Sequence, residues 1–516
     1  MKRIILLFFA LALTPFGYSQ DSLVFLKDVH FNSTFEKDIF HEHFSQAKDN
    51  YLALFMAINP QMDAATYDRF ASHYQSQLDQ IDLEKLKGKK PEKRIKAIYS
   101  SIHDRFLKKY ELQNEFSSIF SDGFYNCVSA SALYGMVFKG FDIPFIIKEK
   151  PTHVYVVAYP DTERILVETT DPTGGFITFS ERYKQAFVEQ MKKTKLISQE
   201  EYQAKTASQL FDQYYFADQE INLEELVGVQ YTNDAIYKLE GQQLEAAYSQ
   251  LEKAYLFYPT DKIISLLIAV NVEILDKNNY KNINDVQYLS KLSRFKEFGI
   301  SREMMLGEFS RINDVYLINK GDAETYRKFY EALVAGIADD TLKQEIHYLY
   351  AYERGRILHN QGKYKDALPF FEDAFMLKPD NQDVNNALVT TLGRSLMYES
   401  DNLVVIKSLE NYRQRHPQLA GNNLFNSALV NAYLLQCGRS FDLNKIDDAI
   451  RYKALFEKNF KPEMTIDATN IGRVYSLAAV YYFKKGYTAK AKSIIAQGLG
   501  YAPGNHELLV RQRMIK

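Results

Sequence analysis

The sequence predicts an α+β domain followed by an all-α solenoid, and three observations carry that prediction. The stretch "YNCVSASALYGMVFKGFDIPF", from Tyr125 to Phe145, reads as an apolar helix that stops at Gly140 before an extended exit. Two segments with strand character follow it, at 152–160 and 163–171, and strict alternation over such lengths marks half-buried strands. From about Tyr231 onward convincing strands vanish, and paired helical segments recur with prolines at their ends.

The chain opens with Lys2 and Arg3, then the apolar run "IILLFFALALTPF", then the small residues Gly17 and Ser19. That order is the pattern of a cleaved export signal over 1–19, so the protein is expected to be exported, periplasmic or secreted. The longest later apolar run, "IISLLIAV" at 263–270, is too short to span a bilayer. With 63 basic and 65 acidic residues, the chain has no general field for nucleic acid. The basic stretch "KLKGKKPEKRIK" at 85–96 is interrupted by Glu92 and leads into an amphipathic helix, so it reads as a solvated helix start.

The only two cysteines, Cys127 and Cys437, lie far apart. Cys437 sits in "NAYLLQCGRS", an apolar run that reads as a helix ending at Gly438, and is expected to be an inert core residue. Cys127 follows the turn-forming residues "SDGFYN", which places it in the first turn of its helix. Free backbone N–H groups and the positive end of the helix dipole favour a thiolate at such a position. A reactive thiol also needs a base and a group to orient that base. His153 lies on the first strand segment and Asp171 ends the second. A three-residue loop at Asp161-Thr162-Glu163 pairs Pro160 with Arg164 and sets His153 directly opposite Asp171. Opposed side chains have Cβ atoms about 4.5–5.5 Å apart, whereas a two-residue loop would place them on opposite faces.

Taken together, Cys127 at a helix start, the "FDIPF" exit, "THVYVV" and "ETTDPTGG" resemble the core of the transglutaminase-like superfamily, over roughly residues 95–175. The resemblance implies a papain-like α+β fold with a Cys-His-Asp triad. Cys127 is then the nucleophile, His153 the general base and acid, and Asp171 the orienting group. Val128 and Tyr155 stand where members of the family often carry tryptophan, and this chain has none. Singly, a cysteine on an apolar helix is usually packing, and a strand histidine is usually structural; three residue types at three motif positions outweigh that reading. No cofactor is implied. No metal is expected, because His41 and His43 of "HEH" are two residues apart on a helix and face different ways.

The second half repeats a signature. "GQQLEAAYSQLEKAYLFYP", "QGKYKDALPFFEDAFMLKP" and "KGYTAKAKSIIAQGLGYAP" each have glycine near a turn, alanine at 247, 367 or 491, and proline at 259, 379 or 503. This resembles the tetratricopeptide repeat and implies a solenoid over 225–516 that binds a protein partner. The remaining span, 21–224, is assigned to the transglutaminase-like domain with a helical N-terminal region, and 180–224 reads as helical. The stretch 425–462 is expected to be a helix pair with an inserted loop around "GRSFDLNK".

Two functions remain open on this basis. One is a cysteine enzyme acting on peptide or isopeptide bonds, a hydrolase or a crosslinking transglutaminase, with a protein or extended peptide as substrate. The other is an exported adaptor in which the transglutaminase-like module is only structural. The first helix pairs, between about 225 and 300, are expected to shape access to Cys127.

Overall fold

A computed structural model describes residues 23–170, 175–177, 179–193 and 196–515. The expected signal segment 1–19 lies outside the described residues. The chain divides into two compact units, 1–281 and 282–516.

The first unit is built around the helix Cys127–Gly140, whose residues 127–138 are all buried. Two-residue strands β1 (Lys109–Tyr110) and β2 (Phe124–Tyr125) pair in parallel just before it. A five-stranded sheet covers one side. It comprises β3 (Phe145–Lys150), β4 (His153–Ala158), β5 (Ile165–Val167), β6 (Phe176–Ile177) and β7 (Gln219–Ile221). Their order is β6-β5-β4-β3-β7, every neighbour antiparallel. Strand β4 is buried on both faces beyond His153. Tyr155 and Val157 join Val188, Leu210 and Phe211 in a core cluster under the helices Glu181–Lys193 and Ala207–Tyr215. The intervening residues of β4 face the Cys127–Gly140 helix, which packs on the strand, because successive side chains of a strand alternate in direction.

The fold class differs from the expected α+β papain-like domain with an all-α solenoid. Helix accounts for 71% of the structure and strand for only 5%, so the protein is mostly all-α, with small sheets. The reason is local. The strand patterns of the sequence are confined to segments of two to six residues, while the flanking segments carry their own helix starts. Ser33, Asn50, Asp63, Ser198, Thr206 and Asn222 each accept a backbone N–H three residues on, satisfying donors that an uncapped helix leaves orphaned. A run of helix pairs is compatible with this architecture. Strand β7 lies inside 180–224, a stretch whose sequence reads as helical throughout.

Glu36, on the helix Thr34–Gln46, forms a buried pair with Lys253 on Leu244–Phe257, at 2.8 Å and with both side chains 0% exposed. Tyr231, on Leu223–Glu240, donates to the same carboxylate at 2.9 Å, and the Asn32 N–H donates to its other oxygen. Gln250 accepts from Lys253 at 2.9 Å. Helices 223–240 and 244–257 are thereby fastened to the N-terminal helix. They also approach each other closely at Gly228, where an added Cβ would lie 2.5 Å from Tyr258 Cβ and 3.0 Å from the Ala254 carbonyl oxygen.

Four helix hairpins share one turn. The helices 223–240, 340–360, 423–442 and 468–484 each lead, through three residues, into a partner of 14 residues. The middle residue of each turn is left-handed: Gln242 (φ 57°), Gly362 (φ 76°), Asn444 (φ 54°) and Gly486 (φ 82°). The next N–H bonds back five residues, from Gln243 to Lys238, Lys363 to Leu358, Lys445 to Ser440 and Tyr487 to Tyr482, the Schellman closure of a helix end. Ala247, Ala367 and Ala491 are fully buried. The second helices stop two residues before Pro259, Pro379 and Pro503. The helix carrying Cys437 does not end at Gly438 but runs to Asp442, with no inserted loop. Gly438 instead gives room to Val474, whose Cγ2 would lie 2.9 Å from an added Cβ.

Two outcomes follow from this packing. Replacing Gln242 by glycine relieves a left-handed side chain and is expected to raise stability by about 0.5–1 kcal/mol, while Gly362→Gln costs about 1 kcal/mol; urea midpoints measure both. Lys253→Met leaves Glu36 buried without its cation, so a loss of about 3–5 kcal/mol is expected. Adding Glu36→Gln to that variant should recover part of the loss.

Candidate functional site

Cys127 occupies the first position of its helix, 8% exposed. Asn126 caps that helix reciprocally with Ser129: the Asn126 side chain accepts from the Ser129 N–H at 2.9 Å, and the Ser129 hydroxyl accepts from the Asn126 N–H at 2.9 Å. Asn126 Nδ2 also donates to the Leu112 carbonyl at 3.1 Å. The start of the helix is thus held from both sides. The Cys127 N–H is among the first four of the helix, which have no acceptor within it.

His153 begins β4 and lines one cleft with Cys127. Its Nε2 contacts both carboxylate oxygens of Glu168, at 2.9 and 3.0 Å. The imidazole is pushed up from the usual 6.5 to about 9 by the neighbouring Cys127 and then by Glu168, against the opposing effect of burial. Burial pushes the Glu168 carboxyl up, yet the hydrogen bonds from His153 and Thr170 outweigh it and hold the carboxyl below its ordinary range. Glu168 is fixed in turn by its neighbours. The Thr170 hydroxyl donates to Oε1 at 2.8 Å, Tyr99 donates to the Glu168 carbonyl, and the next residue, Thr169, is tied to Ser131 of the cysteine helix at 3.1 Å.

The structure therefore brings Cys127 and His153 together. Asp171, the expected third member, lies outside the described residues. The carboxylate that the structure places on the imidazole belongs to Glu168, which the sequence reading missed. Register accounts for this. Val156 pairs with Val167, Val157 with Leu166 and Ala158 with Ile165, one residue away from the pairing that a loop at Asp161–Glu163 demands. The longer turn has Tyr159 and Arg164 left-handed, with the Tyr159 carbonyl accepting from the Thr162 and Arg164 N–H groups. A one-residue slip exchanges the faces of a strand, so continuing this register sets Thr170 opposite His153 and puts Glu168 on the same face. The one available signal was the Glu168 carboxylate two residues before Thr170.

A cleft of about 610 Å³ opens beside Cys127 and His153. One wall is the end of β3 and the turn after it, residues 149–152; another is the helix Leu223–Glu240, through Val229, Thr232, Ile236 and Tyr237. Tyr237 donates to the Leu112 carbonyl at 2.9 Å, and Tyr258, also in the lining, donates to Glu149 at 2.9 Å. Gln113 and Asn114, candidate oxyanion donors by position, are engaged elsewhere. Gln113 donates to Glu240 at 3.1 Å and Asn114 to the Glu111 carbonyl at 3.0 Å.

Cys437 lies in the second unit, and both cysteines are free thiols. Burial pushes the Cys437 thiol up to about 12, as suits an inert core residue. His43 turns its Nε2 toward Glu224 at 3.3 Å, while His41 lies beside the Phe31 ring. Among the described residues no cluster of three histidine, cysteine or acidic side chains is placed to hold a metal ion, and no helix is long and apolar enough to cross a membrane. Compared with known proteins, the chain matches no family model and no curated sequence.

The imidazole–carboxylate pair fixes a pH signature. His153 has a raised folded pKa, so its contribution to stability is complete below about 6.5 and is lost as pH rises through about 9. Glu168 has a lowered one, so its contribution is present above about 4.5 and is lost as pH falls through the folded value. The Tm difference between the wild type and Glu168→Gln should be greatest at pH between about 4.5 and 6.5 and shrink above about 9. In an NMR titration the His153 midpoint, near 9 in the wild type, should fall in Glu168→Gln and stay in Asp171→Asn. The reverse pattern would return the orienting role to Asp171.

Proposed function

We propose that the protein is a cysteine-dependent acyl-transfer enzyme acting on peptide or isopeptide bonds, with chemistry of the transglutaminase-like kind. The observation that carries the reading is the grouping of Cys127 and His153 on one cleft, with His153 held by Glu168. In the reacting pair the proton rests on His153, as its raised pKa favours, and the Cys127 sulfur attacks the carbonyl carbon. The oxygen that becomes negative faces the free N–H groups at the helix start, the arrangement that stabilises such charge. His153 then donates its proton to the departing amine and leaves a thioester on Cys127. Water, deprotonated by His153, hydrolyses that thioester; an amine in its place would yield a new amide. Hydrolysis is the simpler outcome, because water needs no site of its own.

The adaptor reading requires Cys127 and His153 to stand apart, and their place on one cleft weighs against it. Export through segment 1–19 and a tetratricopeptide-like, partner-binding role for the helix pairs of 225–516 complete the proposal. The repeated turn and the buried alanines support the latter.

The reading is tested on the thiol first. Iodoacetamide at neutral pH is expected to alkylate Cys127 and spare Cys437, as followed by mass spectrometry. On a panel of peptide and crosslinking substrates, Cys127→Ala should abolish turnover and Glu168→Gln should lower kcat by about 10²-fold or more. A Cys127 that iodoacetamide does not reach, or a Cys127→Ala variant that turns over normally, would sink the proposal.

A further inference from the structure

A second, smaller pocket of about 200 Å³ adjoins the Cys127 cleft and shares Asn126, Val128, Asn233 and Tyr237 with it. Its remaining walls are rich in hydrogen-bond acceptors. Glu115 and Asp234 both line it, as does Gln230. Asp234 is already paired with Lys238 at 2.9 Å and accepts from Gln250. No lysine, arginine or histidine among the described residues reaches ion-pair distance of Glu115. Gln230 is 6% exposed; its Nε2 donates to the Phe55 carbonyl at 3.1 Å, which fixes the amide's orientation. Its Oε1 has no hydrogen-bond partner. A buried acceptor without a donor costs about 1–3 kcal/mol, a deficit that a ligand bearing N–H groups would remove.

We infer that this pocket is a specificity subsite for a cationic side chain, lysine or arginine, of the peptide whose bond Cys127 attacks. The inference rests on the cysteine-enzyme reading above. Glu115 supplies a carboxylate with no ion-pair partner of its own among the described residues, eased only by Ser117 and the more distant charge of Lys238; Gln230 supplies a carbonyl oxygen, and Asn126, directly before the nucleophile, joins the subsite to the cleft. Burial, and next the charge of Asp234, raises the Glu115 carboxyl, and a cation seated between the two would relieve both effects. The same walls disfavour an acidic side chain, since they offer it no positive partner. The pocket draws on the segment 113–115 and the helix Leu223–Glu240, so specificity is read outside the strand that carries His153.

The test uses the full chain and acetyl-dipeptide chloromethyl ketones, which alkylate Cys127 at a rate set by how well the peptide seats. Lysine, norleucine or glutamate is placed at either residue, and iodoacetamide measures the thiol's own reactivity. At one of the two positions lysine should label at least about ten times faster than norleucine, and glutamate slowest. Glu115→Gln should cut the lysine preference at least threefold with the iodoacetamide rate unchanged, and Asn233→Asp should raise it. Rates for lysine and norleucine within twofold at both positions would overturn the inference while leaving the enzyme reading intact. So would a preference that survives Glu115→Gln. If Glu115→Gln alters the iodoacetamide rate, Asn233→Asp decides: an unchanged preference there overturns the inference. A wild-type thiol inert to every reagent overturns the enzyme reading and this subsite with it.

Discussion

The buried pair of Glu36 and Lys253 is the constraint on which the first unit depends. Neither side chain touches water, so each charge is tolerated only while the other is in place. Glu36 also takes the Tyr231 hydroxyl and the Asn32 N–H, so three separate segments converge on one carboxylate. Two of those segments form the hairpin 223–257, whose first helix walls the Cys127 cleft. The position of that wall is therefore set by an ion pair at the opposite end of the chain's local sequence, on the first helix.

Most of the local design was legible in the residues. The turn-formers before Cys127 mark the helix start, and Asn126 with Ser129 closes it. Glycine in the hairpin turns, buried alanine and terminal proline mark the repeated helix pairs. These features are legible because each rests on a backbone preference of one or two residues. The grouping of Cys127 with His153 was expected for a different reason: it is what the resemblance of their motifs to the transglutaminase-like core implies.

What escaped the sequence depends on context. Strand β7 is three residues, Gln219–Ile221, with no alternation to betray it, and it exists because β3 offers an edge. Gly438 reads as a helix end, yet its missing side chain serves Val474 in the middle of a helix. Glu168 was missed because a single residue of turn length decides which face of β5 meets His153. The turn places Tyr159 and Arg164, rather than glycine or asparagine, in left-handed conformations, and no composition rule anticipates that. The mostly helical fold class was obscured in the same way: a few short strands with clear alternation drew more weight than their length deserved.

Gly228 sets how closely the two helices of the hairpin 223–257 approach. Its absent methyl lets Tyr258 and the Ala254 carbonyl press directly on the backbone of the helix that carries Thr232, Ile236 and Tyr237. Tyr258 lines the same cleft and holds Glu149. The missing side chain at position 228 thus sets how near Tyr258 and Ala254 come to the helix that walls the cleft. A lineage that respaced these two helices would have to rebuild the hairpin instead of trimming a side chain.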